Sequence, residues 1–396
     1  MLDGWKLKPL GELVRIASGQ VDPKDAEIAR NLSIGPDNLR SGGGLEKTGL
    51  KTAGELEQIS GKYAFDRNAI LYSKIRPNLN KIALVDFDGI CSADMYPIWV
   101  RDDRQAVREF IFYVMNSERF VADATSRSFR TGLPKINRPD LESIEVPLPP
   151  LPEQRKIAEI LRTWDEAIEK LAALRAAKAH RLDGISQRLL APSRAVGHGV
   201  PHSNWTAVRF GEVFDERQDK NANLGPDDVV TVGKYAIRKQ SEHFTRSVAS
   251  KDLSNYWTIS PGDFVYDPMS AYYGAIGRYS GSADGIVSPA YRVIRLRREV
   301  DPEFMVALLR THHIRFLLET RSSQGNKEGK RRLLQRDEFE SIEFKLPPKE
   351  AQREIAAKLA VFRGDLELTE REIEALTRQK RGLMQKLLTG EWRVAV

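Results

Sequence analysis

The sequence predicts an α+β protein built twice. It has two globular α+β domains and two long helices that pair as an antiparallel coiled coil, in a pseudo-twofold internal repeat. Three observations predict this. A segment near the middle of the 396 residues returns 198 residues later, at half the chain length. Each copy of it opens on prolines and then carries an apolar stripe at alternating steps of three and four. Each copy follows a stretch of short β-rich runs and Gly- or Asn-rich loops.

Composition sets the outer bounds. Lys+Arg is 62 and Asp+Glu 55, a formal net charge of +7, with 41% hydrophobic and 30% charged residues. That is an ordinary globular mixture and excludes wholesale disorder. The one cysteine, Cys91, excludes an internal disulfide framework and Cys-based zinc modules. No run approaches the roughly 18 apolar residues of a membrane span. The start, Met1 to Lys6, lacks the apolar stretch of a signal peptide. The expectation is a soluble, cytoplasmic chain with no membrane partner. A surplus of seven charges permits nucleic-acid binding without requiring it, so placement decides.

The first block, residues 1–147, contains strand-like runs at 69–72, 81–85 and 96–100 and a helix near 108–116. Cations and amides interleave in the loop holding Lys74, Arg76, Asn78, Asn80 and Lys81. A second loop carries Arg127, Arg130, Lys135, Asn137 and Arg138, with four basic residues and no acid. The second block, residues 197–345, has strand-like runs at 263–266 and 291–296 and a helix near 302–311. Its matching loops hold Tyr272, Tyr273 and Arg278, then Arg321, Gln324, Asn326, Lys327, Lys330, Arg331 and Arg332. The latter has five basic residues and one acid. Arg and Lys suit phosphates and guanine edges, and Asn and Gln suit adenine edges. These residues are therefore the candidate DNA contacts. A charge run alone is usually a solvated face, but these runs recur at equivalent places in a duplicated chain.

The helices occupy 148–196 and 346–396. Ile144-Glu145-Val146-Pro147-Leu148-Pro149-Pro150 returns as Ile342-Glu343-Phe344-Lys345-Leu346-Pro347-Pro348, and Gln154-Arg155-x-Ile157-Ala158 as Gln352-Arg353-x-Ile355-Ala356. The prolines cannot continue a helix backward, so they fix its start. The first stripe is Leu161, Trp164, Ile168, Leu171, Arg175, Lys178, Leu182, Ile185 and Leu189. The second is Leu359, Phe362, Leu366, Thr369, Ile373, Leu376, Lys380, Leu383 and Leu387. This is an a/d heptad pattern. A helix of about 40 residues is roughly 60 Å long, too long for the inside of one small domain. One apolar seam on each of two equal helices calls for the other as partner. Lys178 and Lys380 interrupt the seam, a stability cost that favours one register.

Signatures of catalysis are missing. There is no G-x-x-x-x-G-K-[ST] loop and no G-x-G-x-x-G after a strand. Asp267-Pro268-Met269-Ser270 begins like an amino-methyltransferase motif but lacks its second proline and its aromatic. The six histidines show no metal-ligand spacing, and adjacent His312 and His313 point to different helix faces. Cys91 reads as a small buried hydrophobe. No catalytic, cofactor-binding or metal residue is assigned. Two other readings stay open: a scaffold with two binding domains on a helical stalk, or a nuclease or methyltransferase with cryptic catalytic residues.

The chain resembles the specificity (S) subunit of prokaryotic type I restriction–modification systems. The resemblance rests on Pro149-Pro150-Leu151-Pro152-Glu153-Gln154-Arg155-x-Ile157-Ala158-x-x-Leu161, its repeat, and the ending Gln385-Lys386-Leu387-Leu388-Thr389-Gly390-x-Trp392-Arg393-Val394. The first copy departs by ending Leu189-Leu190-Ala191, without the Thr-Gly pair. The resemblance implies two target recognition domains, each reading one half of a bipartite, asymmetric double-stranded DNA site. It implies helices that set their spacing and dock two modification (methyltransferase) subunits, which recruit restriction subunits. It implies no active site and no cofactor in this chain, with S-adenosylmethionine, ATP and Mg on the partner subunits.

Overall fold

The computed structural model describes residues 4–128, 134–190, 204–240, 252–297, 299–324 and 332–395. The chain forms two compact units: residues 1–172 with 371–396, and residues 173–370. Each unit therefore holds one globular block, part of the first long helix (Leu151–Leu190) and part of the second (Lys349–Thr389).

In the first unit, a four-stranded antiparallel sheet runs in the order Val14–Ile16, Met95–Val100, Ile70–Ser73, Ile82–Leu84. Side chains alternate across a strand, and here both faces are buried. Ile70, Tyr72, Ile82, Tyr96 and Ile98 face the core shared with the helices Arg108–Met115 and Glu118–Ser126. Leu71, Ala83 and Met95 face a second core, shared with a three-stranded sheet of Ser33–Ile34, Gly89–Ser92 and Lys62–Phe65. Burial on both sides is why the strands read as continuous apolar runs.

The second unit repeats this plan. Its sheet runs Phe214–Arg217, Arg292–Leu296, Phe264–Tyr266, Ile276–Arg278. Phe264, Tyr266, Ile276 and Ile294 face the helical core, while Val265, Ala275 and Val293 face the other. In both units the block's first strand pairs antiparallel with its last. Lys6–Pro9 lies against Glu145–Leu148, and Thr206–Arg209 against Glu343–Leu346.

The recurring Gln-Arg-x-Ile-Ala segment is a peg that fastens helix to block. Gln154 is fully buried; its Oε1 accepts from the Val107 amide at 2.9 Å, and its Nε2 donates to the carbonyls of Gln105 (3.0 Å) and Pro149 (2.8 Å). Gln352 does the same with Asp301 (2.7 Å) and Pro347 (2.8 Å). Ile157, Ala158 and Leu161, with Ile355, Ala356 and Leu359, follow on the same helix face and are buried with the block cores.

Each unit pairs the beginning of one long helix with the end of the other, antiparallel. In the first, Leu161 shares a core with Leu383, Met384 and Leu387. In the second, Leu182, Ile185 and Leu189 share one with Ile355 and Leu359. Every expected apolar seam position is at least half-buried: Trp164, Ile168 and Leu171 in the first helix, Phe362, Leu366, Ile373 and Leu376 in the second, and those already named. Arg175 is exposed and pairs with Glu370 at 2.7 Å.

The seam lysines find carboxylates on the opposing helix. Lys178 Nζ lies 2.8 Å from Asp365 and 2.9 Å from Thr369 Oγ1, and Lys380 pairs with Asp165, which also accepts from Tyr113 Oη at 2.8 Å. A paired charge at a seam specifies register at a cost in stability. Replacing both pairs by leucine, at 178 with 365 and at 380 with 165, should therefore leave stability unchanged or raise it by about 1–3 kcal/mol. Disulfide trapping of cysteines placed at 175 and 370 should then become less efficient as other registers appear. Asp165→Ala, which strands Lys380, should instead destabilise.

Candidate nucleic-acid interface

In the first unit, the two cationic loops that the sequence singles out lie side by side. An isolated bridge joins Ile75 to Lys135, the Arg76 amide donates to the Pro134 carbonyl at 2.8 Å, and the Ile136 amide donates to the Lys74 carbonyl at 3.0 Å. Arg76 and Asn80 adopt left-handed backbone angles, φ 48° and 46°, on either side of the single 3₁₀ turn Pro77–Leu79. This turns the loop sharply and leaves Arg76 and Asn78 exposed, along with Lys135 and Asn137 across the bridge. The Asn137 side-chain oxygen caps the helix Arg138–Glu142 by accepting from the Asp140 amide.

Lys74 and Arg138 lie over the Tyr96 ring, 5.1 and 5.8 Å from its centre. Burial, then the nearby charges of Lys135 and Arg138, pull the Lys74 pKa below the ordinary lysine value, against the opposing pull of Asp94. Three cations facing one carboxylate favour an incoming anion.

In the second unit, the Leu334 amide donates to the Pro268 carbonyl at 2.9 Å, joining the corresponding two loops. The 3₁₀ turn Ala271–Tyr273 presents Tyr273, which is exposed, and Tyr272, which is half-buried. Arg332 lies 5.5 Å over the Tyr272 ring and pairs with Glu319 at 3.0 Å; Lys234 lies 5.8 Å over the Tyr273 ring. Arg321 is exposed.

Five of the expected contact residues have partners within the fold. Asn80 is buried, its amide donating to Asn116 Oδ1 and, at 3.1 Å, to the Asn116 carbonyl. Lys81 Nζ donates to the Pro36 carbonyl at 2.8 Å. Arg127 pairs with Asp123 at 2.7 Å and donates to Ser143. One Arg138 nitrogen donates to the Ala17 carbonyl, so only part of its guanidinium is left to face Tyr96. Arg278 pairs with Glu303 at 2.7 Å. Arg130, Asn326, Lys327, Lys330, Arg331 and the side chain of Gln324 lie outside the described residues.

Sequence reading missed Tyr96, Asp94 and Lys234. The first two sit on or beside a strand that reads as core, and Lys234 is isolated in a hairpin turn. Among the described residues, no group of three or more His, Cys, Asp or Glu is placed to hold a metal, and no helix is long and apolar enough to cross a membrane. Cys91 is fully buried and its thiol is pushed up to about 12, as a small core hydrophobe would be.

Comparison with known proteins bears on this arrangement. The family model described as the type I restriction modification DNA specificity domain matches residues 2–177. The specificity subunit of the type I restriction enzyme EcoDI from Escherichia coli is 36% identical over 244 residues, covering 60% of this chain and 52% of that protein. The MjaVIII specificity subunit from Methanocaldococcus jannaschii is 25% identical over 317 residues, covering 72% and 70%. The chain thus spans about half the length of the first of these relatives. A solved chain from work on assembly and conformational transition of a type I restriction–modification system has the same fold. Its TM-score is 0.56 at 19% identity, with 98% of both chains covered. The S subunit from M. genitalium gives 0.55 at 17% identity, over 97% and 96%. Residues 2–177 thus match the type I restriction modification DNA specificity domain, and the chain is similar in sequence and in fold to specificity subunits of type I restriction–modification systems.

Proposed function

We propose that the chain is the non-catalytic, sequence-reading subunit of a type I restriction–modification complex, with each globular block reading one half of a bipartite double-stranded DNA site. The observation that carries this is the joining, in the first unit, of two separate cationic loops next to the Tyr96 ring, and in the second of a tyrosine-bearing loop to the segment that carries Arg332. Such a surface offers guanidinium and ammonium donors for phosphates and amides for base edges. In this reading the blocks differ because they read different bases, and the helices repeat because they meet two copies of one modification subunit. Those subunits carry S-adenosylmethionine and methylate the DNA, and restriction subunits with ATP and Mg join through them.

Arg76→Ala, Lys135→Ala and Tyr273→Ala test the surface in the assembled complex. A lost phosphate contact should lower the slope of log K against log salt by about 0.9. A lost base-edge contact should cost about 1–3 kcal/mol and relax one position of the site. Binding that is unchanged in all three variants would reject this surface. Methylation by the purified chain alone with S-adenosylmethionine would reject the non-catalytic reading.

A further inference from the structure

We infer that the second unit carries a pocket for a small phosphate-bearing ligand, of nucleoside monophosphate size, where Arg278, Arg310 and Arg363 converge. The cavity, about 360 Å³, lies between the strand Ile276–Arg278, the helix Pro302–Leu309 and the second long helix. It falls at the small end of the roughly 300–1,000 Å³ of ligand sites.

Its charge is unbalanced. Glu303 takes Arg278 at 2.7 Å and Arg363 at 3.4 Å, while Arg310 donates to the Tyr235 carbonyl at 3.1 Å. Glu367 is the other carboxylate of the lining, so three guanidiniums face two acids. The Nε atoms of Arg278 and Arg363 are buried and find no acceptor among the described residues. Burial, followed by the Arg363 charge, lowers the Arg310 pKa, so an anion would relieve a cost the fold now bears. Arginine forks match the geometry of phosphate oxygens. Phe264 and Leu309 supply an apolar floor, which suits a ligand with a flat uncharged part. Tyr235, at the rim, holds φ 53°, a strained angle of the kind stored at binding sites.

The internal repeat serves as a control. The strand Ile82–Leu84 and the helix Arg108–Met115 occupy the matching places in the first unit, and both block helices are entered at the residue pegged by the repeated Gln. Position for position, Arg278 stands where the first copy has Leu84, Arg310 where it has Asn116, and Arg363 where it has Asp165. Asn116 is bonded by Asn80, and Asp165 by Tyr113 and Lys380. The fold thus has a stable solution without the arginines, so architecture does not require them.

Calorimetric titration of the full chain with inorganic phosphate, adenosine monophosphate and adenosine tests this. We expect saturable one-site binding of the two phosphate-bearing probes and none of adenosine. Arg310→Asn and Arg363→Gln should each weaken it roughly tenfold or more, with no fall in the melting temperature of the unliganded chain. No saturable heat from either phosphate probe, equal binding by both variants, or equal binding of adenosine would overturn the pocket. So would variants that lose DNA binding in the assembled complex when the unaltered chain binds no phosphate, since the arginines would then belong to the DNA surface. The inference does not depend on the proposed DNA reading, and the phosphate titration stands apart from the DNA assay.

Discussion

Deleting residues 169–175 together with 370–376 should shorten the preferred gap between DNA half-sites by about three base pairs. One heptad leaves a coiled-coil stripe in phase. These two heptads are opposite each other, because Arg175 faces Glu370. Their removal takes out that pair and keeps both seam lysines with their partners, Lys178 with Asp365 and Lys380 with Asp165. Seven residues rise roughly 10 Å along a helix, and a base pair about 3.4 Å along DNA. Mapping methylated adenines in cells carrying the deletion reads the gap directly. An unchanged gap would remove the spacer role from the proposal. Deleting only one of the two heptads should leave one of the two lysine pairs out of register and lower the yield of folded protein, which separates spacing from folding.

Gln154→Leu should cost about 3 kcal/mol of stability, and Gln352→Leu somewhat less. The Gln154 amide serves three backbone groups and Gln352 serves two, all at the junction of block and helix. Each buried group left without a partner costs roughly 1–3 kcal/mol, and added leucine packing offsets part of that. Denaturant midpoints give the comparison, with exposed Gln385→Ala as a control within about 0.5 kcal/mol of the unaltered chain. If Gln154→Leu matches that control, the repeated glutamine is not a structural peg.

The seam was legible because its signal is local. A stripe such as Leu359, Phe362, Leu366 announces one face of a helix whatever surrounds it. The strands at 70–73 and 264–266 were legible for a related reason, since burial on both faces makes every residue apolar. The loops were harder. Whether Asn78 or Asn80 reaches solvent depends on Asn116, far along the chain. Whether Arg278 is free depends on Glu303. Composition placed the cations in particular segments, but only the joining of Ile75 to Lys135 and of Pro268 to Leu334 shows which segments lie side by side. Gln154 and Gln352 stood out as a motif, yet nothing in the sequence pointed to the backbone amides they hold.

The clasp of first and last strands has a consequence for how such a chain can change. Lys6 lies opposite Leu148, and Thr206 opposite Leu346, so each block enters and leaves through neighbouring strands. Ends that meet are the condition under which a domain can be inserted or replaced without disturbing its host. Each block is in that sense a cassette. A recombination event with crossovers near these strands would exchange a whole block while leaving the glutamine pegs and the helical frame untouched. If the blocks read DNA as proposed, heredity would thus give the molecule a new address in one step, where point substitution would have to rebuild a reading surface residue by residue.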